Sequence, residues 1–252
     1  MINILLSGCN GKMGQVISGL AKSNDEVNIA AGYDINVTIK NEYPVFTNLE
    51  NCDVKVDAII DFSSPVVLNG LAEYAVSKKI PLVVATTGLT AEHIKVLNDA
   101  SAKIPVFFSA NMSLGMSLLV DLVKKAAKVL EKNFDIEIIE KHHNQKVDAP
   151  SGTALKIADA VNSVLEKKDE LVYDRHSKKE KRTKNEIGIH AVRGGTIVGE
   201  HSVLFAGTDE LLEINHTALS KDIFAVGALK ASLFIAGKNP GMYDMENLVS
   251  SF

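Results

Sequence analysis

His142 and His143 stand side by side, Lys146 follows four residues after the first of them, and the run Pro150-Ser151-Gly152-Thr153 comes next, all within residues 140–154, EKHHNQKVDAPSGTA. Imidazole, with an ordinary pKa of about 6.5, exchanges protons near neutrality. A lysine ammonium can hold a carboxylate through a charge-assisted hydrogen bond that contributes roughly 1.5 to 3 kcal/mol. The Pro-Ser-Gly-Thr run reads as a helix start, with a capping hydroxyl, a proline near the first turn and free amides that attract an anion. A dianion loses its water at a cost of several kcal/mol per charge, so a site for one needs cations as well as dipoles. The segment therefore suits a small dicarboxylate with a proton donor beside it. Adjacent histidines point different ways on any regular backbone, and no Cys or Glu completes a zinc set at recognisable spacing, so a metal site is not expected. His93, His176, His190, His201 and His216 lack such company and read as surface or sheet residues.

A second constellation lies near the start. Gly8-Cys9-Asn10-Gly11-Lys12-Met13-Gly14 is G-x-x-G-x-x-G, a variant spacing of the dinucleotide fingerprint, placed between a first apolar strand and a first helix. Its glycines let backbone amides approach a pyrophosphate at a helix N-terminus. Asp34 ends the second strand, where a carboxylate can accept hydrogen bonds from the adenosine ribose hydroxyls. A 2′-phosphate about 4 Å from that carboxylate would cost roughly 1 to 4 kcal/mol, which favours NADH. Lys12 offsets part of the repulsion, so NADPH is expected to remain usable. Two further loops, Ala85-Thr86-Thr87-Gly88 and Ser109-Ala110-Asn111-Met112-Ser113, follow strand ends and are expected to face the nicotinamide half of the cofactor.

The elements that must position these groups are legible as periods. Ile2, Ile4, Leu5 and Leu6 form a short apolar strand, and Met13, Val16, Ile17 and Leu20 recur at helical spacing. The alternation repeats through VNIAAGYD, VDAIIDFSS, PVVLNGLAEYAVSKK, IPLVVATTG, AEHIKVLNDASAK and IPVFFSANMS. Continuous apolar strands alternating with helices mean a parallel sheet covered on both faces. After Asn111 the texture changes to a helix over 114–131, the strand FDIEIIEK, the His-Lys loop, a helix, and residues 187–217 that read as antiparallel strands of an open sheet. The basic run KKEKRTK, 178–184, reads as a solvated loop. The apolar helix DIFAVGALKASLFIAG suits packing back on the first domain. The expected architecture is α/β: a Rossmann-like, doubly wound parallel-sheet domain over 1–113 and 223–252, with an inserted α+β substrate and oligomerisation domain over 114–222 that carries an open mixed sheet.

Composition narrows the function classes. With 46% hydrophobic residues and a formal net charge of -4, the chain can bury a core and lacks the basic field of a general nucleic-acid or anionic-membrane binder. The apolar run in MINILLSGCNG is too short for a secretory leader, and no stretch approaches the ~18 apolar residues of a membrane span. Cys9 and Cys52 have no metal-ligand spacing and read as reduced core residues, which suits a cytoplasmic protein.

HHNQKVDAPSGTA, together with GCNGKMG, ATTG, SANMS and VRGGTIVGEHSVLF, resembles the bacterial dihydrodipicolinate reductase family over essentially the whole chain. The resemblance implies NAD(P)H-dependent reduction of a small cyclic dicarboxylate on the diaminopimelate route to lysine, two domains joined by a hinge, and a homotetramer assembled through the second domain's sheet. It places His142 as proton donor or acceptor and Lys146 as the proton-donating, substrate-binding lysine. His143, Ser151, Gly152 and Thr153 fall on substrate carboxylate contacts. Gly8 to Met13, Asp34, Ala85 to Thr87 and Ser109 to Met112 fall on cofactor contacts. Ala85 stands where glycine is usual, Met112 where an aromatic is common, and Ile35 where some members carry an arginine for the 2′-phosphate.

Two rivals have distinguishing features. A semialdehyde dehydrogenase would need a cysteine in a loop suited to thioester formation, and neither cysteine has that setting. A dinucleotide-sensing regulator would bind NADH without chemistry, but it would not need the His-Lys loop, and nothing like a DNA-reading module accompanies the fold.

Overall fold

Alternation along the central strands sorts their side chains into two cores. Ile4, Leu6, Ile60, Val83 and Phe107 point to one side, while Leu5, Ile59, Leu82, Val84 and Val106 point to the other. Successive residues of a strand face opposite ways, so a run that is apolar at every position must be covered twice. The computed structural model describes residues 1–252.

In chain order the elements are β1 (Ile2–Ser7), α1 (Lys12–Ala21), β2 (Val27–Tyr33), β3 (Val45–Phe46), β4 (Ala58–Asp61), α2 (Leu68–Lys78), β5 (Leu82–Val84), α3 (Ala91–Ser101) and β6 (Pro105–Phe108). There follow α4 (Leu114–Leu130), β7 (Asp135–His142), α5 (Gly152–Asn162), β8 (Glu170–Val172), β9 (Glu186–Arg193), β10 (Gly199–Ala206) and β11 (Leu211–Ala218). The chain ends with α6 (Asp222–Ile235), β12 (Gly241–Tyr243) and α7 (Met245–Val249). It divides into two compact units, Met1–Leu114 with Asp222–Phe252, and Gly115–Lys221.

The first unit is a seven-stranded sheet of order β12-β6-β5-β4-β1-β2-β3 with every pairing parallel. Its run 3-2-1-4-5-6 is the doubly wound order, whose direction reverses between β1 and β4 and leaves a crevice beyond their carboxyl ends. One face is covered by α1, α6 and α7 through Ile17, Ala228, Leu229, Ile235 and Leu248. The other is covered by α2 and α3 through Leu68, Leu71, Ala75 and Leu97. Helix α6 passes so close to Met112 that a Cβ at Gly227 would lie 1.7 Å from the Met112 carbonyl oxygen. The apolar C-terminal helix thus belongs to the nucleotide-type core.

The second unit holds a five-stranded mixed sheet of order β11-β10-β7-β9-β8. Strand β7 is antiparallel to β10 and parallel to β9. This corrects the reading of 187–217 as consecutive antiparallel strands. Only β10 and β11 pair that way, and β9 lies on the far side of β7 from β10. Helices α4 and α5 cover one face through Met116, Leu119, Val123, Ile157 and Val161 against Ile136, Ile138, Ile189, Val203 and Phe205.

The basic run 178–184 is also corrected in part. Arg182 is 17% exposed and reaches Asp135 and Glu137 at 2.9 Å each, with the Ile136 and Glu186 carbonyls completing its fork. It is an anchor of the sheet edge, because a guanidinium with this many acceptors offsets its lost hydration. No helix is long and apolar enough to cross a membrane.

Candidate active site

The buried face of β7 begins apolar and ends polar. Ile136, Ile138, Glu140 and His142 alternate along it, and all four are buried. The two-residue period therefore sets Glu140 and His142 on one side of the sheet. Antiparallel pairing with β10 places His201 directly opposite Glu140, and parallel pairing with β9 places Arg193 beside His142. The His142 and Arg193 side chains meet at Glu140, which has no solvent exposure. His142 Nδ1 lies 2.5 Å from Oε2 of Glu140, Arg193 donates to both oxygens at 2.8 and 2.7 Å, and the Ser151 amide donates to Oε1 at 2.9 Å. Burial pushes the Glu140 carboxyl up, but hydrogen bonds from Arg193, His142 and Ser151 outweigh it and hold the group below the usual carboxylate range.

Ser151 is the N-cap of α5, accepting from the Ala154 amide at 3.2 Å, with its hydroxyl also 3.2 Å from His201 Nε2. The His142 and His201 rings meet edge to face with centroids 5.2 Å apart. Burial, then the neighbouring His142, pushes His201 down to about 4, so it is neutral at pH 7. Lys146 turns onto Asp148 at 2.8 Å, and Asp148 also receives a hydrogen bond from the Gly152 amide. Hydrogen bonds and charge from Lys146 hold the Asp148 carboxyl low. A carboxylate of the chain itself is thus bound by the ammonium and by a helix-start amide, the two kinds of group that recognise a carboxylate ligand. His143 is half-buried on the same loop, where its carbonyl accepts the Lys146 amide at 3.1 Å.

In the first unit, Gly8 has φ +77, and a Cβ there would meet the Phe62 carbonyl oxygen at 2.6 Å. A Cβ at Gly14 would lie 2.2 Å from the Gly8 oxygen. Both positions require glycine for the loop to fold so tightly. Helix α1 begins after Gly11 with no side-chain cap, which leaves its first turn to an anion. Asp34 accepts the Asn10 and Asn36 amides at 2.9 Å each. A pocket of about 290 Å³ opens here, lined by Gly8, Asn10, Gly11, Asp34, Ile35 and Ser63 among others. Glycine cradle, uncapped helix and strand-end carboxylate fit a dinucleotide.

Cys9 is buried and does not line this pocket. Its thiol packs against Gly32, and burial, with Asp34 nearby, pushes it up to about 11. Lys12, Met13, Ala85 to Thr87 and Ser109 to Met112 are outside the pocket lining. The last two segments follow β5 and β6, further along the same strand-end edge. The Thr86 hydroxyl is committed to the buried Asp61 at 2.6 Å, while Thr87 is exposed. Ser109 closes a turn on the Asn111 carbonyl at 2.7 Å, Ala110 is exposed, and Met112 packs in the core.

A family model described as dihydrodipicolinate reductase, N-terminus, matches residues 2–112, and one described as dihydrodipicolinate reductase, C-terminus, matches residues 115–249. The chain belongs to the dihydrodipicolinate reductase family. It is 55% identical over 249 residues to 4-hydroxy-tetrahydrodipicolinate reductase of Caldanaerobacter subterraneus subsp. tengcongensis, covering 99% of this chain and 98% of that protein. Against the Clostridium tetani protein of the same name it is 51% identical over 251 residues, covering 100% of this chain and 98% of the other. Among solved structures, dipicolinate-bound dihydrodipicolinate reductase from Paenisporosarcina sp. TG-14 superposes with a TM-score of 0.84 at 26% identity, over 98% of this chain and 99% of that one. The N-terminal domain of dihydrodipicolinate reductases is a dinucleotide-binding domain.

Glu140, Arg193, His201 and Asp61 are not evident as site residues from the sequence. His201, which the sequence suggests is a surface or sheet residue, is a sheet residue packed on His142 and Ser151. The usable signal was the alternation Ile136, Ile138, Glu140, His142, which puts an acid and an imidazole on one buried strand face.

Proposed function

We propose that this chain is the NAD(P)H-dependent reductase that converts the dihydrodipicolinate-type cyclic imine, formed from 4-hydroxy-tetrahydrodipicolinate, into tetrahydrodipicolinate in lysine and diaminopimelate biosynthesis. The observation that carries the reading is the loop in which Lys146 and the Gly152 amide hold a carboxylate, directly after a strand that ends in a buried, carboxylate-bound His142. In this reading His143, Ser151, Gly152 and Thr153 contact a substrate carboxylate, and Lys146 holds a carboxylate and polarises the acceptor. The reduced nicotinamide, when bound, supplies hydride to C4 of the conjugated imine. The enamine left behind takes a proton at the neighbouring carbon from His142, alone or through Lys146. General acids of this kind contribute roughly 10² to 10⁴ in rate.

The first unit is the dinucleotide domain, with Gly8, Cys9, Asn10, Gly11, Lys12 and Met13 at the pyrophosphate, Asp34 at the ribose, and the Ala85–Thr87 and Ser109–Met112 loops at the nicotinamide half. NADH is preferred because Asp34 meets the ribose and Ile35 offers no charge to a 2′-phosphate. A kcat/KM with NADPH equal to or above that with NADH contradicts this preference. Assembly as a homotetramer uses the face of the five-stranded sheet not covered by helices, where Val192 is 45% exposed and Ile139 and Leu204 are half-buried. A cytoplasmic setting suits the reduced, buried Cys9 and Cys52.

The deciding experiment gives the purified chain NADH with and without the product of dihydrodipicolinate synthase. Reductase activity appears as loss of reduced-nicotinamide absorbance only when that product is present. Binding of NADH with no turnover is the result for a sensor.

A further inference from the structure

Four nitrogens converge on the two oxygens of Glu140: His142 Nδ1 and an Arg193 nitrogen on Oε2, the Ser151 amide and the other Arg193 nitrogen on Oε1. We propose that Glu140 is a positioning residue of the reductase reaction, holding His142 as the Nδ1–H tautomer, so that Nε2 exchanges the proton, while pinning the start of α5 to the same carboxylate. The kinetic part of this proposal rests on the reductase reading above. The tautomer part does not.

The argument is one of donor and acceptor inventory. A guanidinium and a backbone amide can only donate, so both Glu140 oxygens must accept. The carboxylate is held ionised by these donors despite its burial, and an ionised carboxylate offers Nδ1 nothing but lone pairs. The hydrogen of a neutral His142 ring therefore sits on Nδ1 and the lone pair on Nε2. Nε2 points toward Gly199, where an added Cβ would stand 3.2 Å from it, so the glycine keeps that side of the ring clear. The other imidazole nearby, His201, is turned to Ser151 through its own Nε2 and meets His142 only ring edge to ring face. Because β7, β9 and the start of α5 all close on one carboxylate, the proton-exchanging nitrogen and the anion-holding helix end keep a fixed separation.

Glu140→Gln makes the proposal decisive. Glutamine presents one acceptor oxygen and an NH2 that only donates. With the oxygen on the Oε1 side it accepts from the Ser151 amide and one Arg193 nitrogen, whereas the reverse orientation would set the NH2 against both of those donors. The NH2 is thereby turned to Nδ1 and to the other Arg193 nitrogen, which forces the ring hydrogen onto Nε2. Nitrogen-15 spectra of the full chain with labelled histidine, taken at about pH 9 to keep imidazole neutral, report the tautomer. The His142 signals are assigned by their loss in His142→Gln. The expected result is Nδ1–H in the parent and Nε2–H in Glu140→Gln, with kcat lowered by roughly 10² to 10⁴. KM for the dicarboxylate should move by less than about threefold, which a general loosening of the loop would not produce. An Nε2–H tautomer in the parent overturns the proposal, as does a variant that keeps both the parent tautomer and the parent kcat. Should Glu140→Gln fail to fold, the parent spectrum alone decides the tautomer. A parent with no turnover overturns the reductase reading and leaves the spectral test standing.

Discussion

Arg193 lays its terminal nitrogens across both oxygens of Glu140, at 2.8 and 2.7 Å, although 53 residues separate the two in sequence. The pair joins β9 to β7 beneath the His-Lys loop, and the same guanidinium reaches the Asp148 carbonyl at 2.6 Å. A buried carboxylate is tolerated only while its charge is matched. Arg193→Met strands Glu140, and the expected loss is about 3 to 5 kcal/mol in urea denaturation. A loss under about 1 kcal/mol, the range of a surface pair, would show that Glu140 does not depend on this partner.

Acid should weaken the second unit in two steps. His201 is neutral in the folded chain, with its pKa pushed down to about 4, and burial lowers His216 as well. An unfolded histidine binds its proton at about 6.5, so between about 6.5 and 4 the unfolded state holds more protons and stability falls as pH falls. For His201 this amounts to roughly 3 kcal/mol between pH 7 and pH 4. Carboxylates held low in the folded chain, Glu140 and Glu186, give the second step below the ordinary carboxylate range, with Glu186 lowered to about 2 chiefly by Arg175. Urea midpoints across this range should show the first step shrink in His201→Gln. An unchanged slope there would contradict the assignment.

Two glycines of α1 should respond in opposite ways to alanine. A Cβ at Gly14 meets the Gly8 oxygen at 2.2 Å and the Cys9 carbonyl at 2.6 Å, all backbone, whereas Gly19 has nothing within 4 Å. Gly14→Ala should displace the loop and weaken NADH binding by at least about tenfold, while Gly19→Ala should stabilise the helix by roughly 0.5 to 1 kcal/mol. Fluorescence titration and thermal melting read the two effects. Equal NADH affinity in both variants would remove the glycine cradle from the cofactor site.

These contrasts also show which features a sequence can announce. Strand β1, the turn at Gly8, helix α1 and Asp34 are contiguous, and local periods with a glycine loop carry them. The return of α6 was readable because a helix apolar on most sides cannot face water. Pairing across distance was not readable. Gly194-Gly195 looks like a hairpin turn between β9 and β10, yet β7 lies between those strands, and no local pattern reports an intervening strand. Arg182 looked solvated because its partners at 135–137 lie 45 to 47 residues away. The same distance problem hid Arg193 and His201 from Glu140.

Asp148 occupies groups that a substrate carboxylate would use. It pairs with Lys146 at 2.8 Å while remaining 58% exposed. Asp148→Asn keeps an acceptor for the Gly152 amide but releases the ammonium. KM for the dicarboxylate should fall about two- to fivefold, the equivalent of an exposed ion pair, with kcat little changed. A raised KM would mean that Asp148 orders the loop for binding rather than competing with the ligand.

The central claim, that the 142–153 loop is where the dicarboxylate is held and protonated, is tested most directly by turnover of His142→Ala and Lys146→Ala with NADH and the dihydrodipicolinate synthase product. Each should lose roughly 10² or more in kcat while binding NADH as the parent does. Near-parental turnover in both variants would contradict the account.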